Sequence, residues 1–269
     1  MTAVSHDGGR PSPDSSEVVG YALEGEIALV TLNRPERLNA VNHDLVRGLC
    51  RALDRAGADG AAAVVLTGAG RAFCAGHDLK QPPETVPDEH SLRRLQDIQD
   101  VTRKIRALAA PVIAAVHGYA LGAGCEFALC CDLVVAERGT VFGFPEVEVG
   151  LGVTGGISHL LPLAVGAVRA KELVLLGRRF DADEAARLGL ANAVVGDARE
   201  EAMAWARELA GKPRLAAALA KQCLDQGPEG DLEAALELEV AASLGLMATT
   251  EAAEAADRFA ARGRTPETS

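Results

Sequence analysis

Two glutamates dominate the chemical content of this sequence. Glu126 ends the run Gly118-Tyr119-Ala120-Leu121-Gly122-Ala123-Gly124-Cys125-Glu126, and Glu146 ends Phe142-Gly143-Phe144-Pro145-Glu146. Two positioned carboxyls suit the movement of protons to and from a small substrate, one as base and one as acid. Each follows a glycine-containing segment. Glycine lets the backbone approach a ligand closely, and a free N–H beside it can point into a cleft. Two such N–H groups converging on one oxygen stabilise the negative charge that develops there. Losing one donor from such a site costs about 3 kcal/mol in the transition state. A third segment, Phe73-Cys74-Ala75-Gly76-His77-Asp78-Leu79-Lys80, stands beside the first two as a candidate.

The remaining reactive side chains narrow the chemistry. Six cysteines lie at 50, 74, 125, 130, 131 and 223 without a CxxC pair. Most sit in apolar or glycine-rich stretches, which reads as reduced, buried thiols of a cytosolic protein. No spacing supports a zinc site, so no metal is expected. Cys125 adjoins Glu126, but no histidine is obviously paired to it as a nucleophile's base would be. The net charge of −11 argues against a nucleic-acid or anionic-membrane partner while leaving room for a local basic pocket. No apolar run is long enough to span a bilayer. Met1 to Ser16 has neither a signal-type apolar region nor an Arg-rich amphipathic pattern, so a cytoplasmic location is expected.

The elements that must hold these residues follow from periodicity and punctuation. At 48% hydrophobic and only 3% aromatic, the core has to be built from Ala, Val and Leu at close backbone distances. Residues 1–17, rich in Ser, Pro, Gly and Asp, read as a disordered tail. Ile27 to Leu32 reads as a strand stopped by Asn33-Arg34-Pro35, and Asn42 as the cap of a helix carrying Leu45, Val46, Leu49 and Leu53. Ala63 to Thr67 reads as a buried strand. Gln81 to His90, with three prolines, reads as an exposed, mobile loop. The spacing of Leu92, Leu95, Ile98, Val101, Ile105 and Leu108 predicts a helix over 91–108, ended by Pro111 before a strand at 112–116.

Gly122 to Gly124 lead into a short helix, followed by strands at 133–135 and 141–142. Helices are expected over 160–176 and 183–188, the second opened by an Asp181–Glu184 capping box and closed by Gly189. Beyond Arg199 the pattern is helical, with Thr249-Thr250 as a cap before 251–261. Strands alternating with helices and then helices alone give an α/β fold, with a core at 18–199 and a helical region at 200–269.

Leu32-Asn33-Arg34-Pro35, Leu38-Asn39-Ala40, Phe73-Cys74-Ala75-Gly76-x-Asp78-Leu79-Lys80, Gly118 to Glu126 and Pro145-Glu146 occur in this order. Together they resemble the signature of the enoyl-CoA hydratase/isomerase (crotonase) superfamily over about residues 18–265. The resemblance implies a spiral of ββα turns with a C-terminal helical trimerisation part, assembled as a trimer or a dimer of trimers. It implies an acyl-CoA thioester as substrate, with coenzyme A entering as part of it and no permanently bound cofactor. The backbone N–H groups of His77 and Ala123 take the positions of the oxyanion donors. Alanine at 123, where the family often has glycine, keeps the N–H if its φ is negative.

Ala75, Asp78, Leu79, Lys80, Arg34, Ala40 and Gly122 take the family's CoA- and substrate-binding positions. By residue type alone Asp78 is a turn or cap residue, and Lys80 is equally a solvated lysine. Arg37 is a weaker candidate for the nucleotide end, and Arg258, Arg262 and Arg264 are either CoA contacts or a basic helix end.

Hydratases of the family carry both glutamates, which hold a water for addition across the α,β double bond. Isomerases commonly keep one, or place it elsewhere, so the pair here favours hydration over double-bond isomerisation. Thioester hydrolysis would need a paired nucleophile, and RNA binding, known in some relatives, is disfavoured by the acidic balance. Glu148 is expected on the opposite, exposed side of an extended segment, and His159 as a packing or capping residue. Two departures from the family pattern stand out. His77 replaces a small residue and is expected to be non-catalytic. Gly150-Leu151-Gly152-Val153-Thr154-Gly155-Gly156 replaces the usual Pro-Gly-x-Gly-Gly beside the acyl pocket, which points to an altered acyl group.

Overall fold

A computed structural model of the chain describes residues 17–79, 89–251 and 254. Its strands are β1 (Val19–Glu24), β2 (Ile27–Leu32), β3 (Ala63–Gly68), β4 (Val112–Val116), β5 (Tyr119–Leu121), β6 (Leu133–Glu137), β7 (Val141–Gly143), β8 (Arg179–Asp181) and β9 (Ala193–Val195). Its helices are α1 (His43–Ala58), α2 (Glu89–Ala107), α3 (Ala123–Cys130), α4 (Ile157–Val165), α5 (Ala167–Leu175), α6 (Ala182–Arg187), α7 (Ala198–Ala210), α8 (Arg214–Gln226) and α9 (Leu232–Met247).

One sheet has the order β1-β2-β3-β4-β6-β9, and a smaller one the order β5-β7-β8. β1 and β2 form an antiparallel hairpin, and the rest of the large sheet is parallel. Parallel neighbours cannot be joined by a tight turn, so α1 and α2 serve as crossovers from β2 to β3 and from β3 to β4.

The near-continuous apolar runs of these strands reflect burial on both faces. Ala28, Val30, Leu32, Val64, Leu66, Val112 and Ala114 pack toward the main core. The alternating set, Ile27, Leu29, Ala63, Val65, Ile113 and Ala115, packs against Ala198, Ala202, Met203 and Ala206 of α7. Small side chains on α7 suit the close helix–sheet approach that the shortage of aromatics demands. α1 begins as expected, with Asn42 Oδ1 accepting from Leu45 N–H at 2.9 Å, and Leu45, Val46, Leu49 and Leu53 are buried. The Asp181 cap on Glu184 N–H is likewise made, at 2.8 Å.

Three expectations change. α2 does not bury its whole apolar stripe: Ile98, Val101 and Ile105 are inside, whereas Leu92 and Leu95 are 57% and 50% exposed. Its first half projects past the core and walls a cavity. The single helix expected over 160–176 is two, α4 and α5, because Gly166 adopts φ 78° and ψ 153°, outside the helical region. β1, β5, β8 and β9 carry no signal strong enough to be read from the chain; β5, β8 and β9 have three residues each.

α8 is fastened to the core through the buried Lys221. Its ammonium donates to Ile105 O at 2.7 Å and pairs with Asp132 Oδ2 at 2.8 Å. The readings made for residues 1–16, Lys80, 81–88, Arg258, Arg262 and Arg264 fall outside the described residues, as does most of the helix expected over 251–261.

Candidate active site

The turns that carry the candidate donors are brought together by strand register. Cys74 pairs in parallel with Ala120 of β5, Cys74 N–H donating to Tyr119 O at 2.9 Å and Leu121 N–H to Cys74 O at 3.0 Å. Two residues further along each segment lie Gly76 and Gly122. Both have positive φ, 88° and 53°, which glycine adopts without steric penalty. A Cβ built on Gly122 would lie 3.7 Å from Gly76 Cα, and one built on Gly76 would lie 2.8 Å from Leu121 O. Any side chain at either position would prise the two turns apart.

The residues after these glycines are His77 and Ala123. Among the described residues neither backbone N–H donates to any acceptor. Ala123 opens α3, so the helix dipole adds to its N–H. Its φ is not positive, since Leu38 and Asn39 are the only described non-glycine residues with positive φ. The two donors differ in setting. Ala123 follows a strand–glycine–helix turn, whereas His77 sits on irregular chain held by single bridges to Val41 and β5.

The same register continues into β7. Ala120 pairs with Phe142, and Gly122 N–H donates to Gly143 O at 2.9 Å. The chain then turns through Pro145 into a short 3-10 helix, Glu146–Val149. This places Glu146 Oε1 3.0 Å from where a Gly122 Cβ would stand. Glu146 is 2% exposed, and neither carboxyl oxygen has a hydrogen-bond partner among the described residues. Burial pushes the acid up to about 7, its own backbone N–H opposes this slightly, and the charge of Glu126 adds to it. Glu148 is exposed as expected, but on this 3-10 turn rather than on extended chain.

Glu126, in the first turn of α3, is 1% exposed. Thr154 N–H donates to its Oε1 at 2.7 Å and Thr154 Oγ1 to its Oε2 at 2.5 Å. Burial raises its pKa, and the two bonds from Thr154 pull it back. The two carboxyls therefore occupy unlike environments, one held by donors and one bare. Such a division separates a base from an acid at neutral pH.

A cavity of about 470 Å³ opens beside this centre, reaching it at His77 and Thr154. Ser91, Arg94, Leu95 and Ile98 of α2 form one wall, and Val149 and Leu151 another. The His77 imidazole faces this cavity. Burial, and secondarily the Arg94 charge, lower its pKa, so it is neutral at pH 7. Leu79 lies exposed at the cavity. Arg34 and Asp78, read separately as CoA and substrate contacts, meet each other. The guanidinium donates to Ala40 O at 2.5 Å and to Asp78 Oδ2 at 3.0 Å. Ala75 and Asp78 donate backbone N–H groups to Leu38 O and Val41 O, both at 3.0 Å. Ala40, Ala75, Asp78 and Arg34 thus form one knot at the edge of the site. Arg37 and His159 are exposed.

Cys125 is fully buried in the core, and burial pushes its thiol well above the ordinary range. A thiolate nucleophile there is disfavoured. No group of three or more His, Cys, Asp and Glu side chains suited to a metal occurs among the described residues.

The sequence profile of the enoyl-CoA hydratase/isomerase family matches residues 22–267. The chain belongs to this family. A short-chain-enoyl-CoA hydratase of Clostridium acetobutylicum is 40% identical over 225 residues, covering 80% of this chain and 84% of that protein. The crystal structure of enoyl-CoA hydratase from Bacillus anthracis superposes with a TM-score of 0.86 at 32% identity, covering 93% of this chain and 98% of the other. An enoyl-CoA hydratase of Mycobacterium smegmatis gives 0.85 at 33% identity, covering 94% and 99%. The fold of this family member is therefore the crotonase-type α/β fold, with its helical C-terminal part.

Two residues of the centre escaped sequence reasoning. Thr154 lies in the segment that departs from the family pattern, and that departure was its only signal. Asn39 lies inside the Leu38-Asn39-Ala40 motif, where its residue type alone assigns it no chemistry. It is fully buried with φ 56°; its side chain donates to Ala69 O and Ala72 O at 2.9 and 2.8 Å and accepts from Arg34 N–H at 2.8 Å. A polar side chain able to adopt a left-handed backbone was the available clue.

Proposed function

We propose that this enzyme adds water across the double bond of a 2-enoyl-CoA thioester to give a 3-hydroxyacyl-CoA. The observation that carries this is the meeting of two buried carboxyls with two N–H groups that no described residue uses. The His77 and Ala123 N–H groups receive the thioester oxygen as it gains enolate charge. Glu126, whose carboxylate is held by Thr154, takes a proton from the water that attacks Cβ. Glu146, raised by burial, carries the proton that ends on Cα. Addition thus leaves Glu126 protonated and Glu146 ionised, and transfer of one proton from Glu126 to Glu146 by way of solvent returns both to their starting states.

In this reading coenzyme A enters only as part of the substrate, near Lys80 and the rim formed by Ala40, Ala75 and Leu79, with no permanently bound cofactor or metal. A homotrimer or dimer of trimers is the proposed assembly. The exposed Leu232, Leu236, Val240 and Leu244, one helical turn apart on α9, support it. No described helix is long and apolar enough to cross a membrane. With the acidic charge, this supports a cytoplasmic enzyme with no nucleic-acid or membrane partner.

The test is incubation with crotonyl-CoA and with longer and branched 2-enoyl-CoAs, following loss of the conjugated thioester absorbance. Water addition that disappears in both Glu126→Gln and Glu146→Gln is the expected result. Bound CoA esters that never gain water, or a product with a displaced double bond, overturn it.

A further inference from the structure

We propose that Thr154 is a positioning residue for Glu126, its hydroxyl and backbone N–H together orienting both carboxylate oxygens. The inference rests on the reading of Glu126 as the base. A carboxylate offers only acceptors, and here Oε1 faces the Thr154 N–H at 2.7 Å while Oε2 faces Thr154 Oγ1 at 2.5 Å. The N–H cannot reverse its role. Protonation of Glu126 at a free lone pair leaves both contacts in place but removes the charge they act on, so two charge-assisted bonds become weaker neutral ones.

The clamp is itself anchored from behind. The next carbonyl, Gly155 O, accepts from Thr102 Oγ1 of α2 at 2.9 Å and from Cys130 Sγ of α3 at 3.1 Å, both in the interior. Thr154 O accepts from Ile157 N–H at 3.0 Å, tying the loop to the first turn of α4. Three helices thus fix the loop that fixes the base.

The titratable groups that feel the Glu126 charge are Cys130 and Cys125 of α3, Cys74 of the segment beside β5, and Glu146 of the 3-10 turn. Glu126 itself is shifted by burial and by its two bonds from Thr154. Burial keeps the three thiols protonated, so among these described groups Glu146 is the one whose charge changes near neutrality. None of these offers Glu126 a donor to replace the hydroxyl.

Thr154→Val keeps the shape and the N–H but removes the hydroxyl, and Thr154→Ser keeps both donors. For a lost charge-assisted bond, the valine variant is expected to lower kcat about thirtyfold with little change in KM. It should also move the acidic limb of the kcat/KM profile up by about one pH unit. The serine variant should restore both. Carbon-13 titration of the glutamate carboxyls should show the same upward shift for Glu126 without reference to turnover. If the valine variant does not fold, Thr154→Ala takes its place in both measurements. An unmoved Glu126 titration, or a serine variant as impaired as the valine one, overturns the inference. A fully active Glu126→Gln would instead overturn the reading of Glu126 as base, while the carboxyl titration would still judge the clamp.

Discussion

Glu146→Gln should abolish turnover and yet stabilise the protein, and only at alkaline pH. The carboxyl is buried with no hydrogen-bond donor from any other described residue, and its pKa stands at about 7 against an ordinary 4.5. A folded-state pKa above the unfolded one means that the folded protein binds the proton more tightly. The stability owed to this group is therefore present at low pH and lost as pH rises from the unfolded value through the folded one. At about 1.4 kcal/mol per pKa unit, the loss between pH 5 and pH 8 is about 2.5 kcal/mol.

Glutamine has the same shape and no charge to bury. Its own unsatisfied amide weighs equally at both pH values and cancels from the comparison. Urea unfolding of both proteins at one fixed concentration measures this directly. With a urea m-value of about 3 kcal/mol per M, the variant's midpoint should gain about 0.8 M on the parent between pH 5 and pH 8. A midpoint difference that stays constant across that range would refute the argument. The bare carboxyl would then not be held protonated by its surroundings.

Three further outcomes follow from geometry already described. Gly76→Ala should leave little or no activity, because its Cβ would stand 2.8 Å from Leu121 O at φ 88°; steady-state kinetics with a circular-dichroism check measures it. Lys221→Met removes the cation paired with Asp132 and leaves its carboxylate the Val112 N–H at 2.6 Å, and should destabilise by about 3 kcal/mol in chemical denaturation. The double variant Lys221→Met/Asp132→Asn should recover most of that loss. Iodoacetamide applied to the folded enzyme at pH 8 should leave turnover intact and Cys125 unmodified by mass spectrometry, since its thiol is fully buried.

Much of this molecule could be read from its residues, for reasons that are physical. The caps at Asn42 and Asp181 are local: one side-chain oxygen meets a backbone N–H three residues on, and sequence holds all the parts. β2, β3 and β4 announced themselves because burial on both faces leaves an unbroken apolar run. The three-residue strands β8 and β9 did not, since their pairing is decided by distant partners. At the site, the glutamates and the glycine-flanked donors were legible as types. Their convergence was not, because it depends on the register of Cys74 with Ala120 and of Ala120 with Phe142. The joining of Arg34 to Asp78 and the hold of Thr154 on Glu126 are long-range for the same reason. The exposed Leu92 and Leu95 show the reverse failure: periodicity marked a helix face correctly but not where the core beneath it ended.

α2 serves the site at both of its ends. Ser91, Arg94 and Leu95 wall the cavity, and two turns on, Thr102 holds the carbonyl behind the loop that grips Glu126. A continuous helix is stiff along its axis, so a push on the wall is transmitted as displacement rather than absorbed. Widening the cavity at Leu95 is therefore expected to change turnover number as well, which steady-state kinetics of Leu95→Ala would show. The wall of the cavity and the grip on Glu126 are geared to one shaft.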